Sequence, residues 1–263
     1  MNLRSWHLQS QQFLLPKEGH TLAECEDAVS VNALGLSYAV TDGATEAFDA
    51  RRWARRLAES WVEVKPSPPV SVADFGVWAG AEGEELHAAW ETLTLPWYAE
   101  EKRRGGSFAA FVGLHFAAEG RRLSWRAIAV GDSCLIQRRN CELRAALPLA
   151  EHQDFNSRPV LVPSRAELMK SALDRAVTGA GEAESGDIFL LLSDAVAAWF
   201  FELAAAHHPL IAEFDSLLAA SENEALADLL RRERQAKRLK DDDVAIIRIA
   251  VVCEPSKKMM NAK

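Results

Sequence analysis

The spacing of apolar positions changes along the 263-residue chain from strand-like to helix-like and back again. Helix-like stretches place apolar residues three and four positions apart on one face, whereas strand-like runs are short and rich in β-branched residues. Up to position 106 this pattern predicts two strands, at 27–31 and 36–40, and then three helices, at 50–64, 71–90 and 97–104. Gly80 and Gly83 weaken the second of these helices, because glycine is a poor helix former.

From position 107 onward strands return, and helices follow only near the end. The predicted strands are 107–116, 123–130, 133–138, a fully apolar run at 188–192 and a β-branched run at 244–252, with two or three helices within 195–234. The region 147–186 is rich in proline and glycine, and we interpret it as a surface excursion with one helical patch at 165–177. No linker divides the chain, so we expect one domain over 1–254 and a disordered tail at 255–263.

Composition and charge argue against several classes of protein. The net charge of −8 argues against a general nucleic-acid binder, and no apolar run reaches the roughly 20 residues of a membrane span. The first residues lack the apolar core of a secretion signal, so we expect a cytoplasmic protein without membrane contact. Four cysteines without a CxxC pair indicate neither a zinc cage nor a disulfide framework.

Acidic residues stand at the ends of four predicted strands. Glu26 and Asp27 open the first strand, Asp42 follows the second, Asp194 follows the apolar run, and 241–243 precede the last strand. A single aspartate in such a position is more often a turn former or a helix cap. A folded sheet can bring several of them together, however, and a bound divalent cation compensates clustered carboxylates. Oxygen ligands without cysteine or histidine suit Mg²⁺ or Mn²⁺ better than zinc.

Six short segments set these residues in a longer order. They are Cys-Glu-Asp-Ala at 25–28, Tyr-Ala-Val-Thr-Asp-Gly at 38–43, Gly-Gly-Ser-Phe-Ala at 105–109, Ala-Val-Gly-Asp-Ser at 129–133, Asp-Ile-Phe-Leu-Leu-Leu-Ser-Asp at 187–194 and Asp-Asp-Val-Ala at 242–245. In this order and spacing they resemble the motifs of the metal-dependent type 2C protein serine/threonine phosphatases, over most of the chain. Each segment is weak evidence by itself, whereas six in the family's order are a fairly specific signal.

The resemblance implies an α+β fold, namely a four-layer α-β-β-α sandwich with two central antiparallel sheets. It also implies an enzyme that hydrolyses phosphoserine and phosphothreonine in proteins, with a water activated by two Mn²⁺ or Mg²⁺ ions. The implied ligands are the carboxylates of Asp27, Asp42, Asp194 and Asp242 and the carbonyl oxygen of Gly43. Asp132 would share a third, weaker ion with Asp194. Glu26, acting through water, and Asp243 would stand in the outer coordination sphere.

One departure from the family pattern leaves the function open. The arginine that binds the substrate phosphate in active members is replaced by Leu22, and leucine cannot form bidentate hydrogen bonds to phosphate. Lys17, His20 and the arginines within 51–56 are nearby alternatives between which spacing cannot decide. A phosphatase-like binding or regulatory module with weak or no turnover is therefore a second hypothesis, and hydrolysis of a small phosphorylated metabolite is a third.

The resemblance also bears on partners and on the last acidic run. It implies a phosphorylated protein as substrate and allows a cognate serine/threonine kinase, and we expect the chain to act as a monomer. The residues favour neither Mn²⁺ nor Mg²⁺ over the other. Asp241, Asp242 and Asp243 are all candidates for the metal ligand, and the family register favours Asp242.

Overall fold

The computed structural model describes residues 4–34, 36–65, 67–140, 142–155 and 158–255. Its strands are β1 (Arg4–Leu15), β2 (Asp27–Asn32), β3 (Ser37–Gly43), β4 (Phe108–Glu119), β5 (Arg122–Val130), β6 (Cys134–Arg139), β7 (Glu142–Leu147), β8 (Val162–Pro163), β9 (Val177–Ala183), β10 (Ile188–Leu192) and β11 (Val244–Pro255). Its helices are α1 (Ala50–Glu63), α2 (Val72–Glu91), α3 (Trp97–Gly105), α4 (Met169–Leu173), α5 (Asp194–Ala205), α6 (Leu210–Ala220) and α7 (Asn223–Gln235). None of the helices in the described residues is both long enough and apolar enough to cross a lipid bilayer.

The strands form two antiparallel sheets that pack face to face. In sheet A the strand order is β1-β11-β10-β6-β7, and in sheet B it is β2-β3-β4-β5-β9, with the short strand β8 beside β4. Residues on the inner faces of both sheets form one buried apolar cluster, which includes Tyr38, Phe116, Trp125, Phe189 and Ile247. Burial of this shared surface holds the two sheets together.

Helices cover the outer face of each sheet. From α1 and α2, Trp61 and Phe75 pack against Phe111 of strand β4 in sheet B. Helices α5, α6 and α7 cover sheet A through a separate cluster around Trp199 and Phe214. The predicted α+β fold, a four-layer α-β-β-α sandwich with two central antiparallel sheets, is therefore confirmed.

Most of the predicted elements are confirmed. The apolar run at 188–192 is strand β10, and the region 195–234 contains three helices. The prediction that glycine weakens the second helix is wrong, because α2 continues without a break from Val72 to Glu91. At Gly83 a Cβ atom would lie 2.1 Å from the carbonyl oxygen of Ser164, so glycine here permits close packing of the helix.

Apolar spacing does not predict strands β1, β7 and β9. β1 pairs with β11 over its whole length, and β9 forms the edge of sheet B beside β5. β9 lies within the predicted excursion at 147–186, which therefore contributes to the sheet itself. The helical patch predicted at 165–177 is shorter in the structure, where α4 covers Met169–Leu173. Of the predicted tail, Pro255 ends β11, and 256–263 lie outside the described residues.

Candidate active site

Asp27 and Asp42 face each other across strands β2 and β3. They are direct partners in the antiparallel register, with Asp27 at the start of β2 and Asp42 next to the end of β3. Asp27 is 5% exposed, and its Oδ2 atom has no hydrogen-bond partner among the described residues. An orphaned carboxylate oxygen beside a second carboxylate is costly in a protein interior, and a bound cation would offset that cost.

Gly43 continues β3 past Asp42 and packs too closely to allow a side chain. Its N–H donates to the carbonyl oxygen of Glu26 at 3.2 Å. A Cβ atom at this position would lie 2.8 Å from the carbonyl oxygen of Ala50 and 3.1 Å from that of Glu26. The end of β3 is therefore fixed between the residue before β2 and the start of α1, which holds the backbone of Asp42 in position.

Asp194 and Asp242 approach from sheet A. Asp194 is the first residue of α5, immediately beyond β10, and Asp242 precedes β11. The ammonium of Lys240 connects the two carboxylates, since its Nζ atom lies 3.3 Å from Asp194 Oδ2 and 2.6 Å from Asp242 Oδ2. Asp194 and Asp242 therefore share one cation.

Ser193 lies close to residues of both sheets at this end of the sandwich. Its Oγ atom accepts a hydrogen bond from the backbone N–H of Ala245 at 2.9 Å, within sheet A. Its hydroxyl also lies near the carboxyl of Asp27, in sheet B, where it lowers the pKa of that carboxyl against the effect of burial. Ser193 immediately precedes Asp194, and the carboxylates of Asp27 and Asp194 are close enough to repel each other.

The carboxylates from the two sheets repel one another. Burial raises the pKa of Asp27 well above its ordinary value, and the charge of Asp194 raises it further. Burial also raises the pKa of Asp42, and the negative charges of Asp27, Asp194 and Asp132 raise it further. Asp132 follows β5 and is buried; burial and the charge of Asp194 raise its pKa to about 7. The structure thus brings five aspartates to one end of the sandwich. We call them the acidic cluster: Asp27, Asp42, Asp132, Asp194 and Asp242.

The chemical type of these ligand atoms suits a hard divalent cation. The set consists of carboxylates, the ligands that Mg²⁺ and Mn²⁺ favour, and it includes the orphaned oxygen of Asp27. Within the described residues, no three acidic, histidine or cysteine side chains already stand together in the arrangement of a metal site. Two of the carboxylates are instead held by Lys240, so an ion that bound them would have to replace that ammonium.

Glu26 and Asp243 lie next to the facing pair. Glu26 Oε2 accepts hydrogen bonds from Thr45 Oγ1 at 2.6 Å and from Lys17 Nζ at 3.3 Å. Asp243 is buried, and each of its oxygens accepts a backbone N–H at 2.8 Å, one from Lys17 and one from Glu26. Asp243 therefore fixes the loop that leads into Asp27.

The three consecutive aspartates before β11 have different surroundings. Asp241 is half-exposed and accepts a hydrogen bond from the backbone N–H of Glu18 at 2.9 Å. Asp242 shares Lys240 with Asp194, and Arg234 donates to the backbone carbonyl of Asp242. Arg234 also donates to the carbonyl oxygen of Pro16 at 2.9 Å, so one nearly buried guanidinium joins two loops of the site.

The position of the missing arginine faces solvent. Leu22 is 60% exposed and lines a groove together with Lys17 and His20. Among the arginines of α1, Arg56 is engaged by Glu82 of α2, with Nε and Oε2 2.7 Å apart. Among the contacts of the described residues, Lys17 is the one of these side chains that reaches the site, through Glu26.

Lys240 and Arg234 are site residues that sequence reasoning missed. Neither belongs to a recognisable motif, and the one available signal is a lysine directly before the acidic run at 241–243. A cavity of about 800 Å³ opens beside the cluster, and its lining includes Asp132, Asp194 and a group of basic side chains, namely His152, Lys237, Arg238 and Lys240. The acidic cluster therefore has a partly basic entrance.

The pKa of Asp132 predicts how the metal-free protein responds to pH. An unfolded aspartate loses its proton near its ordinary pKa, whereas folded Asp132 keeps it until about pH 7. Protonated Asp132 thus favours folding at low pH, and that contribution is lost as the pH rises to about 7. We compare the free energies of unfolding of Asp132→Asn and of the unsubstituted protein, measured with urea in EDTA. The difference in favour of the variant should increase by about 2 to 3 kcal/mol from pH 5 to pH 8. A difference that stays constant with pH would contradict this prediction.

Solved structures share this fold at low sequence identity. No family model and no curated protein matches the sequence. The Mycobacterium tuberculosis serine/threonine phosphatase PstP/Ppp is 17% identical with a TM-score of 0.55, and the match covers 93% of this chain and 99% of that one. The catalytic domain of the phosphatase PstP in complex with two manganese ions is 16% identical with a TM-score of 0.56, covering 94% and 100%. The photosystem II phosphatase PBCP is 16% identical with a TM-score of 0.57, covering 92% and 98%.

The similarity extends over nearly the full length of each pair of chains, so it concerns the complete sandwich and not one sheet. At such identities it is a statement about the fold. The resemblance noted from the six sequence segments is thereby confirmed at that level. The chain has the fold of the metal-dependent type 2C protein serine/threonine phosphatases.

Proposed function

We propose that this chain is a metal-dependent phosphatase that hydrolyses phosphoserine and phosphothreonine in proteins. The observation that carries the proposal is the convergence of aspartates from both sheets, namely Asp27, Asp42, Asp132, Asp194 and Asp242. Crowding like charges in a partly buried site opposes folding, so a functional reason is needed for it. The fold, and the manganese ions in complex with PstP, support an ion-dependent hydrolase as that reason.

In this proposal Asp27, Asp42, Asp194, Asp242 and the carbonyl oxygen of Gly43 would hold two ions, and Asp132 and Asp194 would hold a third. Bound Mn²⁺ or Mg²⁺ would lower the pKa of a water and offset the charge that develops on the phosphoryl oxygens. The hydroxyl of Ser193 lies near Asp27, and Asp243 holds the loop before it. Glu26, fixed by Thr45 and Lys17, is available to accept a hydrogen bond from water.

The surroundings support attack by water over attack by a cysteine. Cys25 and Cys134 are the cysteines next to the acidic cluster in sequence; burial raises the pKa of Cys25 to about 12 and raises that of Cys134 as well. A thiol with such a pKa is almost entirely protonated at neutral pH, and the protonated thiol is a poor nucleophile. The proposed reaction therefore forms no covalent bond between enzyme and phosphate.

The cavity beside Asp132 and Asp194 supports a phosphorylated substrate. Its volume of about 800 Å³ suits a side chain with part of its backbone, and Lys237, Arg238 and Lys240 line it. Basic side chains at an entrance attract anions and raise the rate at which they bind. We therefore place the phosphoryl group at the acidic cluster and the rest of the phosphoprotein across this cavity.

The experiment that tests the proposal is hydrolysis of a phosphothreonine peptide and of p-nitrophenyl phosphate by the purified chain. We expect phosphate release in Mn²⁺ or Mg²⁺ and none in EDTA. Release that persists at full rate in EDTA would contradict the metal-dependent mechanism. Release from p-nitrophenyl phosphate without release from any phosphopeptide would point to a small phosphorylated substrate instead.

Leu22 favours a second candidate, a phosphatase-like module that binds a partner and turns over slowly. The exposed leucine offers no hydrogen bonds to a phosphate, and an arginine offers two in parallel. If turnover is limited by this loss, Leu22→Arg should raise kcat/KM for the phosphopeptide by about ten- to a hundredfold, as expected for a charged hydrogen bond. Steady-state kinetics at saturating Mn²⁺ measures the change.

A second exposed leucine provides the matched control. Leu34 is 99% exposed in the turn that follows β2, whereas the acidic cluster lies at the start of that strand. Leu34→Arg adds the same charge and should leave kcat/KM unchanged. A similar gain in both variants would mean that net charge, and not a phosphate contact at position 22, controls the rate.

A further inference from the structure

The ammonium of Lys240 contacts two carboxylates of the acidic cluster, although Lys240 belongs to a surface loop. Its Nζ atom lies 2.6 Å from Asp242 Oδ2 and 3.3 Å from Asp194 Oδ2, while 63% of its side chain is exposed. The ammonium therefore reaches two proposed ligand carboxylates from the solvent side. It supplies positive charge at the position where the proposed function requires a metal ion.

The loop that carries Lys240 is anchored on both sides. Before it, Leu239 is buried, and Arg238 Nε donates to the buried carboxylate of Glu233 at 2.8 Å, which also accepts from Trp199 Nε1 at 3.2 Å. After it, Arg234 donates to the backbone carbonyl of Asp242. The loop is thus held before and after Lys240, and from there the ammonium reaches both Asp194 and Asp242.

A divalent ion and this ammonium cannot both bind the same carboxylate oxygens. Positive charges at such a separation repel each other, and each carboxylate oxygen that turns to the ion is lost to the lysine. Resting on the proposed metal-dependent function, we propose that Lys240 is an intramolecular competitor of the metal ion at Asp194 and Asp242. It neutralises the metal-free centre and thereby sets the metal concentration at which the centre fills.

The experiment compares Lys240→Met with the unsubstituted chain, using Mn²⁺ alone as the ligand. Methionine keeps the length and apolar stem of the side chain and removes its charge. We expect the Kd for Mn²⁺, measured by calorimetry and by the electron paramagnetic resonance of free Mn²⁺, to fall by about five- to tenfold, because the two partly exposed ion pairs of Lys240 no longer compete with the ion. Neither measurement depends on catalytic activity.

Thermal unfolding provides a second readout. In EDTA we expect Lys240→Met to melt at a lower temperature than the unsubstituted chain, because Asp194 and Asp242 lose their counter-ion. At saturating Mn²⁺ the two proteins should melt at similar temperatures, since the ion replaces the ammonium in both. The rise in melting temperature on adding Mn²⁺ should therefore be larger in the variant.

Lys237→Met is the matched control, because Lys237 lines the same cavity and has no ion pair among the described contacts. It should leave the Kd for Mn²⁺ within twofold. An unchanged or higher Kd in Lys240→Met, with normal Mn²⁺ binding by the unsubstituted chain, would overturn this inference and leave the proposed function intact. Absence of Mn²⁺ binding in both proteins would overturn the inference together with the proposed metal site.

Discussion

Asp194→Asn and Asp42→Asn are each expected to lower Mn²⁺-dependent hydrolysis of a phosphothreonine peptide by at least about a thousandfold. Asparagine keeps the size of the side chain and removes the charge with which the proposed ion is held. A thousandfold decrease corresponds to about 4 kcal/mol of transition-state stabilisation, which is the scale of a metal ion's contribution. The measurement is kcat/KM at a Mn²⁺ concentration that saturates the unsubstituted chain.

The loss of activity should not come from unfolding. The raised pKa of Asp42 means that the folded, metal-free protein favours the neutral carboxyl, which asparagine imitates. Urea unfolding of Asp42→Asn in EDTA at pH 8 should therefore show a stability equal to or above that of the unsubstituted chain. Asp241→Asn is the matched control, because this half-exposed neighbour faces Glu18 and should keep full activity. Activity retained in both Asp42→Asn and Asp194→Asn would exclude the proposed ligand set.

Elements that bury a continuous apolar surface are the ones that can be predicted from the sequence. The five apolar residues at 188–192 coincide with β10, a central strand that is covered on both faces. The stripe of Trp53, Leu57 and Trp61 likewise marks the buried face of α1. In these segments the burial that stabilises the element also leaves the periodic pattern that reveals it.

Edge strands leave a weaker pattern. β1 lies at the edge of sheet A and carries a polar run at 9–12, and β9 lies at the edge of sheet B with small and polar residues. An edge strand can expose one side to water, so its sequence need not be apolar. The partner of β1 is β11, at the other end of the chain, so no local pattern could have indicated the pairing.

The carboxylates of the candidate site could be predicted from the sequence, but the basic side chains that contact them could not. Aspartates at strand ends are visible because the strands themselves are visible, and the register places Asp27 opposite Asp42. Lys240 lies in the loop that follows α7, and Arg234 lies in the last turn of α7. The folded chain brings both residues to the acidic cluster. A single basic residue carries no periodicity, so its contact with a distant carboxylate becomes known only from the folded chain.

Asp243→Ala is expected to destabilise the chain by about 2 to 4 kcal/mol, measured by urea unfolding in EDTA. The buried carboxylate accepts the backbone N–H groups of Lys17 and Glu26, both at 2.8 Å, and alanine leaves both donors without their partner. The lost hydrogen bonds outweigh the relief of repulsion, although the charge of Asp243 does raise the pKa of Asp27. Because the loop before Asp27 is then less fixed, the Kd for Mn²⁺ should rise as well.

Two further variants separate the effect of these hydrogen bonds from that of charge. Asp243→Asn removes the charge but keeps one carbonyl acceptor, so it should lose about half as much stability as Asp243→Ala. Asp241→Ala removes an equal charge together with only one, more exposed, backbone hydrogen bond, and it should therefore lose at most about 1 kcal/mol. Equal stability of Asp243→Ala and the unsubstituted chain would show that Asp243 does not hold the loop. A loss in Asp243→Asn as large as in Asp243→Ala would show that the one carbonyl acceptor of asparagine does not hold the loop, because both variants lack the charge and the second acceptor.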